Sequence, residues 1–201
     1  WIALISVAEA AILLAGGDAE GAVLVCTEGL SFWGGVDPET GIIIDAHHPQ
    51  HGACVTGNVL MMPTSRGSCS GSGVLLELAL NGLAPAALVF SDDEEVLTLG
   101  ALVSERIFAR PITVLRLQSD AYAALARSRR AGLVAGRLNG DGLHLALERA
   151  DVERLALTGE DRAVLDGVSG AAAKTAMEIV CLMGVAQGAS ALMDVTRGHI
   201  D

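Results

Sequence analysis

The sequence predicts a mixed α/β fold with parallel strands at its centre. Between residues 55 and 117, short apolar runs alternate with helical patterns in the order strand, helix, strand, helix, strand. Glycines number 24 among 201 residues, which fits a tightly turned α/β protein and not a coiled coil. Hydrophobic residues make up 51% and charged residues only 18%. With a mean hydropathy of +0.48, disorder is excluded as the main state. The length has room for one good domain and a fraction of another.

Taken in order, the chain opens on an apolar stretch from Trp1 to Ala15, interrupted by Ser6 and Glu9 and ended by Gly16-Gly17. A membrane-spanning helix needs about 20 mostly apolar residues, so none is expected here. No basic segment precedes the stretch and no clear small-residue cleavage site follows, so a signal peptide is not expected either. The chain starts on Trp and not Met, as a fragment of a longer reading frame would. Gly21 to Thr27 reads as a strand, Asp37-Pro38 and Thr40-Gly41 as turns, and Ile42 to Asp45 as a second strand. A loop with His47, His48 and His51 follows, then a strand from Val55 to Met62 ended by Pro63. These early strands read as hairpins.

The rhythm is clearest in the middle. The loop T-S-R-G-S-C-S-G-S-G at 64–73 leads into a helix over 74–80, which Asn81-Gly82 stops. Ala86 to Phe90 is a strand. Ser91 with Glu94 three residues on predicts a capping box and a helix to about Ile107. Pro111 to Leu117 is the next strand, and the alternation implies parallel pairing through right-handed crossovers. Arg127 to Arg130 reads as a solvated helix end. Residues 132–147 hold a hairpin turning at Asn139-Gly140-Asp141-Gly142. From Thr158 the character changes. That residue caps a helix, and a second helix over 171–187 carries a stripe of Ala173, Ala176, Met177, Val180, Cys181 and Gly184. Ala191 to Val195 reads as a strand. This last part is too small to build its own core and reads as the opening of a second domain.

Thirteen basic residues against 24 acidic ones give a net charge of −11. A nucleic-acid or anionic-membrane partner would need a basic face, so neither is expected. A small anionic substrate remains compatible through one local site. The cysteines at 26, 54, 69 and 181 form no C-x-x-C pair, so no zinc ribbon or local iron–sulfur loop is expected. Reduced thiols in the cytoplasm are the expectation.

The strongest chemical constellation is Arg66-Gly67-Ser68-Cys69-Ser70-Gly71-Ser72, between a strand and a helix. Backbone N–H groups at a helix start, glycines that admit a close approach and the Arg66 fork together suit a carboxylate or phosphate. A serine there has a positive surrounding for its alkoxide. The plainer reading is a capped helix with small turn residues. The G-x-x-x-x-G-K-[ST] spacing of a Walker A loop is absent. The run Ser31-Phe32-Trp33-Gly34-Gly35 reads either as a loop that closes over a ligand or as a hydrophobic anchor with a tight turn. His47, His48 and His51 lack a completing carboxylate or cysteine, so no metal site is expected there. Cys69 reads first as a small buried thiol, and Asp92-Asp93-Glu94-Glu95 as a solvated helix start. His199 and Asp201 follow a predicted strand, where α/β sites form.

The runs L-S-F-W-G-G-V-D-P-E-T-G-I-I-I-D at 30–45, H-P at 48–49, R-G-S-C-S-G-S at 66–72 and V-L-L-E-L-A-L-N-G-L-A-P-A-A-L-V at 74–89 resemble the small domain of the aconitase X family. The segments L-T-G-E-D-R-A-V-L-D-G at 157–167, A-M-E-I-V at 176–180 and D-V-T-R-G-H-I-D at 194–201 resemble the start of its large domain. The resemblance implies a swivelling β/β/α domain over 1–128, a connecting segment over 129–156 and the beginning of the large domain over 157–201. The first 15 or so residues fit the family poorly.

The resemblance also implies a dehydratase. Ser68 is then the base on a C–H next to a carboxylate, and Arg66, Gly67, Ser72 and His199 bind the substrate. An iron–sulfur cluster in the large domain would help the hydroxyl leave, with ligands beyond residue 201. The partners are a small carboxylate substrate and the remainder of the large domain. The fusion of both motif sets on one chain favours the family's cis-3-hydroxy-L-proline activity. Its alternatives are dehydration of mevalonate 5-phosphate, or a non-catalytic swivelling binding domain. A phosphohistidine swivelling domain would need a histidine where this chain carries Ser68. The chain by itself is expected to be inactive.

Overall fold

In the computed structural model the described residues are 11–149. The chain divides after Ala150 into two units, and every described residue lies in the first. The helix and strand readings past residue 150, and His199, lie outside the described residues.

The elements run β1 (Ala11–Ala15), β2 (Ala19–Val25), β3 (Val59–Met62), α1 (Gly71–Leu80), β4 (Ala87–Phe90), α2 (Val96–Phe108), β5 (Thr113–Leu117), α3 (Ser119–Leu125), β6 (Arg130–Val134), β7 (Arg137–Gly140), β8 (Leu143–Ala146) and β9 (Glu148–Arg149). Together the strands make one sheet in the order β8-β7-β6-β2-β3-β4-β5-β1-β9. The four central strands β2, β3, β4 and β5 are parallel, as the alternation with α1 and α2 predicts. β3 and β4 read V-L-M-M and A-L-V-F and are buried throughout, because a parallel sheet is covered on both faces. On one face Val59, Met61, Val89, Leu115 and Leu117 share a core with Ala121 and Leu125 of α3. Leu60, Met62, Leu88 and Phe90 alternate onto the other face and are equally buried.

α1 ends as Asn81-Gly82 predicts. Gly82, at φ +72°, donates its N–H to the Ala79 carbonyl, and Leu83 donates to Leu78. These are the paired bonds of a Schellman cap. At its other end α1 starts at Gly71, three residues before the predicted start. Gly71, Ser72 and Gly73 are weak helix formers. They are helical because α2 packs there: a side chain at Gly100 would meet the Ser72 carbonyl at 3.0 Å.

Three expectations are corrected. The early strands are not hairpins, since β2 pairs with β3 in parallel. The segment expected as a strand over 42–45 makes only single bridges, Ile42 to Cys54 and Val36 to Ile43, because the turns at Gly41 and Gly52 allow no longer ladder. The apolar start contains β1, which pairs antiparallel with β5 and buries alternate residues. Past residue 128 the sheet continues. β6 pairs with β2, and β6, β7 and β8 form a meander whose second turn is Asp141-Gly142.

Candidate active site

Parallel strands set the place of the site. Ligands of open α/β sheets gather beyond the C-terminal ends of the strands, and here the loops after β2, β3 and β4 meet at that end. The Pro63 carbonyl accepts the N–H groups of Ser91 and Asp92. Leu30 bridges Ser65 in parallel, and Arg66 donates its N–H to the Leu30 carbonyl. The Ser65 hydroxyl donates to the Glu94 carboxylate at 2.5 Å. Glu94 is only 7% exposed, so the expected solvated acidic run has one buried member. Its carboxylate also accepts the N–H groups of Leu97 and Thr98 at 2.8 and 2.9 Å. Glu94 thus caps α2 itself, in place of the predicted Ser91.

The loop these contacts hold carries Ser68. Its oxygen accepts the Ser70 N–H at 3.2 Å, and its hydroxyl donates to the Ser70 hydroxyl at 3.2 Å. The Cys69 sulfur lies 3.9 Å from the same oxygen. Residues 66–70 are exposed, so the expectation of a buried Cys69 thiol is corrected. The buried thiol is Cys26, which burial pushes up to about 11. Gly67 sits at φ +98°, and a side chain there would meet the Ser31 hydroxyl at 2.6 Å. Only glycine takes this turn without strain. Among the described residues, the N–H groups of Gly67, Ser68 and Cys69 have no hydrogen-bond acceptor. A row of free backbone donors beside a guanidinium suits an anion.

Arg66 is half exposed. It pairs with Asp45 at 3.3 Å and reaches Glu28 at 4.0 Å. The His47 N–H holds the Asp45 carboxyl below the usual carboxylate range, with Arg66 adding to the effect. The Ser72 hydroxyl donates to the Cys69 carbonyl at 2.7 Å, which fixes the start of α1. Of the site residues read from sequence, Arg66, Gly67 and Ser68 form one exposed turn. Ser72 lies one helical step on, and His199 is outside the described residues.

Other candidates separate clearly. Phe32 is the buried anchor of its run, whereas Trp33 is 62% exposed. His48 is buried, while His47 and His51 are exposed. Among the described residues no three His, Cys, Asp or Glu side chains gather so as to hold a metal. A cleft of about 410 Å³ lies at the ends of β4 and β5, lined by Ile12, Ser91, Asp92, Asp93, Arg116 and Gln118. Ser68 does not line it, and Arg116 is tied to Asp93. Sequence reasoning placed Ser70 in the constellation without a role and missed Asp45. The S-C-S spacing was a signal for the first, and the second had none, since it is 21 positions from Arg66.

A mixed α/β domain with a parallel centre and a Ser-bearing turn at the ends of its central strands has the architecture of a swivelling domain. Residues 9–138 match the aconitase X swivel domain, and residues 154–201 match the aconitase X first domain. The chain belongs to the aconitase X family. It is 45% identical to a cis-3-hydroxy-L-proline dehydratase of Pseudomonas aeruginosa over 200 residues, which are 94% of this chain and 33% of that protein. It is 47% identical to a phosphomevalonate dehydratase small subunit of Methanothermobacter thermautotrophicus over 88 residues, 44% of this chain and 67% of that one. A UPF0107 protein solved by NMR matches with a TM-score of 0.56 and 32% identity, covering 66% of this chain and 97% of that one. The chain spans about a third of the length of the curated dehydratase that it matches almost end to end.

Proposed function

We propose that this chain is the substrate-gripping part of a hydro-lyase that dehydrates cis-3-hydroxy-L-proline to a pyrroline-2-carboxylate. One observation carries the reading: the exposed turn over residues 66–70, which carries the Arg66 side chain, the Ser68 hydroxyl and three backbone N–H groups without an acceptor. Similarity favours the hydroxyproline substrate over mevalonate 5-phosphate. The P. aeruginosa dehydratase aligns across 94% of this chain, whereas the small subunit aligns with 44%.

In the proposed reaction Ser68 takes the proton from the carbon that bears the carboxylate, and the neighbouring hydroxyl leaves. The free amides of Gly67, Ser68 and Cys69 and the open side of Arg66 hold the carboxylate, where negative charge builds as the C–H bond breaks. The Ser70 N–H, already on the Ser68 oxygen, stabilises its alkoxide. The N-terminal end of α1 adds a positive partial charge. Cys26, Cys54 and Cys69 are unpaired and do not converge, so they do not fit as ligands of an iron–sulfur cluster. That cluster, which the family resemblance implies, belongs in this reading to large-domain sequence beyond residue 201, and no step is derived through it. The proposed partners are the small carboxylate substrate and the rest of that large domain. Unpaired thiols support a reducing cytoplasm. Among the described residues no helix is long and apolar enough to cross a membrane.

The test is Ser68→Ala in the full-length protein, purified without oxygen and offered both substrates in parallel. Loss of the base lowers turnover by at least about 100-fold. Unchanged turnover overturns the role of Ser68. Product from mevalonate 5-phosphate alone overturns the substrate and keeps the mechanism.

A further inference from the structure

We propose that Asp45 is the positioning residue of the site, holding the Arg66 guanidinium in the orientation that receives the substrate carboxylate; this rests on the reading of Arg66 given above. Asp45 is itself fixed from several sides. Its N–H donates to the Gly35 carbonyl at 3.3 Å, and its carbonyl accepts the His48 N–H at 3.1 Å. One carboxylate oxygen accepts the His47 N–H at 2.9 Å. The other oxygen faces Arg66 at 3.3 Å.

The loop beneath is closed on itself. The buried His48 accepts the Gln50 N–H on Nδ1 at 3.1 Å, and the His48 carbonyl accepts the His51 N–H at 2.9 Å. The Asp45 side chain is 21% exposed, against 50% for Arg66. A carboxylate this constrained is a post against which the more exposed guanidinium aligns.

Nη2 faces Asp45 at 3.3 Å and Nη1 approaches Glu28 at the longer distance of 4.0 Å, which between them leave part of the five-donor fork open to a ligand. A long side chain already held in place gives up less conformational freedom when a ligand binds. The opposing effect is repulsion of the incoming carboxylate by Asp45 and by Glu28, the second carboxylate near Arg66. Solvent screens it, because the Arg66 and Glu28 side chains are each at least half exposed. Positioning therefore outweighs masking, and loss of the Asp45 charge weakens substrate binding.

The test uses the full-length protein with Asp45→Asn, Asp45→Glu, Arg66→Ala and the Asp45→Asn/Arg66→Ala double variant. Loss of a charged hydrogen bond raises KM for cis-3-hydroxy-L-proline about tenfold in Asp45→Asn, while kcat stays within about threefold. Asp45→Glu recovers much of the loss. The double variant is no worse than Arg66→Ala alone, because the two residues act as one unit.

A KM that is unchanged or lower in Asp45→Asn, or additive losses in the double variant, overturns the proposal. No change of KM in Arg66→Ala overturns both the role of Arg66 and that of Asp45. A second readout needs no turnover. Phenylglyoxal labels Arg66 several-fold faster in Asp45→Asn than in the parent, measured by peptide mass spectrometry. Equal labelling overturns the positioning, and faster labelling in a protein that dehydrates neither substrate overturns only the proposed reaction.

Discussion

Glu94 is the residue whose loss tests most directly how the site is held. Its carboxylate accepts three hydrogen bonds, from Ser65 and from the N–H groups of Leu97 and Thr98, and shares the Thr98 hydroxyl proton, at 3.0 Å, with the Glu94 carbonyl at 2.8 Å. Glu94→Ala removes a helix cap, worth about 1 kcal/mol, and a charge-assisted bond to Ser65, worth about 1.5–2 kcal/mol. The expected loss is therefore about 3 kcal/mol, a large part of the 5–15 kcal/mol that holds a typical domain. For a domain of this size that corresponds to a fall of about 10 °C in Tm. Glu94→Gln is the sharper test. Its amide NH2 group must face one of two backbone donors, Leu97 N–H or Thr98 N–H, whichever way it turns. One donor is then orphaned, and the loss is about 2 kcal/mol despite the near-identical shape. Urea denaturation followed by circular dichroism measures both variants. A Gln variant within about 0.5 kcal/mol of the parent refutes the claim that Glu94 is a saturated acceptor.

Two further outcomes follow from the same loops. Gly67→Ala forces a side chain into a left-handed turn and against the Ser31 hydroxyl; it lowers stability by about 1–3 kcal/mol and cuts turnover more than an alanine at the neighbouring Ser70, as paired melting and rate measurements show. Asp37 is held below the usual carboxylate range by the Thr40 hydroxyl and then by the Glu39 N–H. Its folded pKa is the lower one, so its contribution is full above the ordinary value of 3.8 and fades as pH falls through the folded value. Asp37→Asn therefore loses less stability than the parent between pH 5 and pH 3 in denaturant titrations.

The central rhythm was legible because its signals are local. The Asn81-Gly82 stop and the apolar runs of β3 and β4 each act through neighbours in sequence, whereas the Asn139-Gly140 part of the expected turn is the end of β7 and Asp141-Gly142 alone makes the turn. β1 was not legible, since A-I-L-L-A carries no turn chemistry of its own and becomes a strand only against β5. The early strands misled for a related reason. β2 and β3 pair in parallel across a long loop, and parallel pairing leaves no hairpin signal. In the site, the Arg66–Ser72 turn was readable as an anion loop from its glycines and hydroxyls. Asp45 and Glu94 were not, because each acts on residues 21 and 29 positions away. Glu94 was read as the second half of a capping box, whereas its depth makes it the cap itself.

The distribution of constraint around Ser68 bears on the proposed chemistry. The turn is rigid at its edges: Glu94 ties Ser65, Ser31 crowds Gly67, and the Ser72 hydroxyl ties the Cys69 carbonyl. Its donors nonetheless face solvent, and Ser68 itself is exposed. A serine alkoxide in water is strongly solvated, and charge stabilisation by oriented amides gains strength only where water is excluded. On the proposed reading the described residues therefore contribute position and charge but not dryness. On the same reading, excluding water from the turn strengthens both contributions. The Ser68–Ser70 hydroxyl bond, at 3.2 Å, holds the Ser68 side chain within that turn.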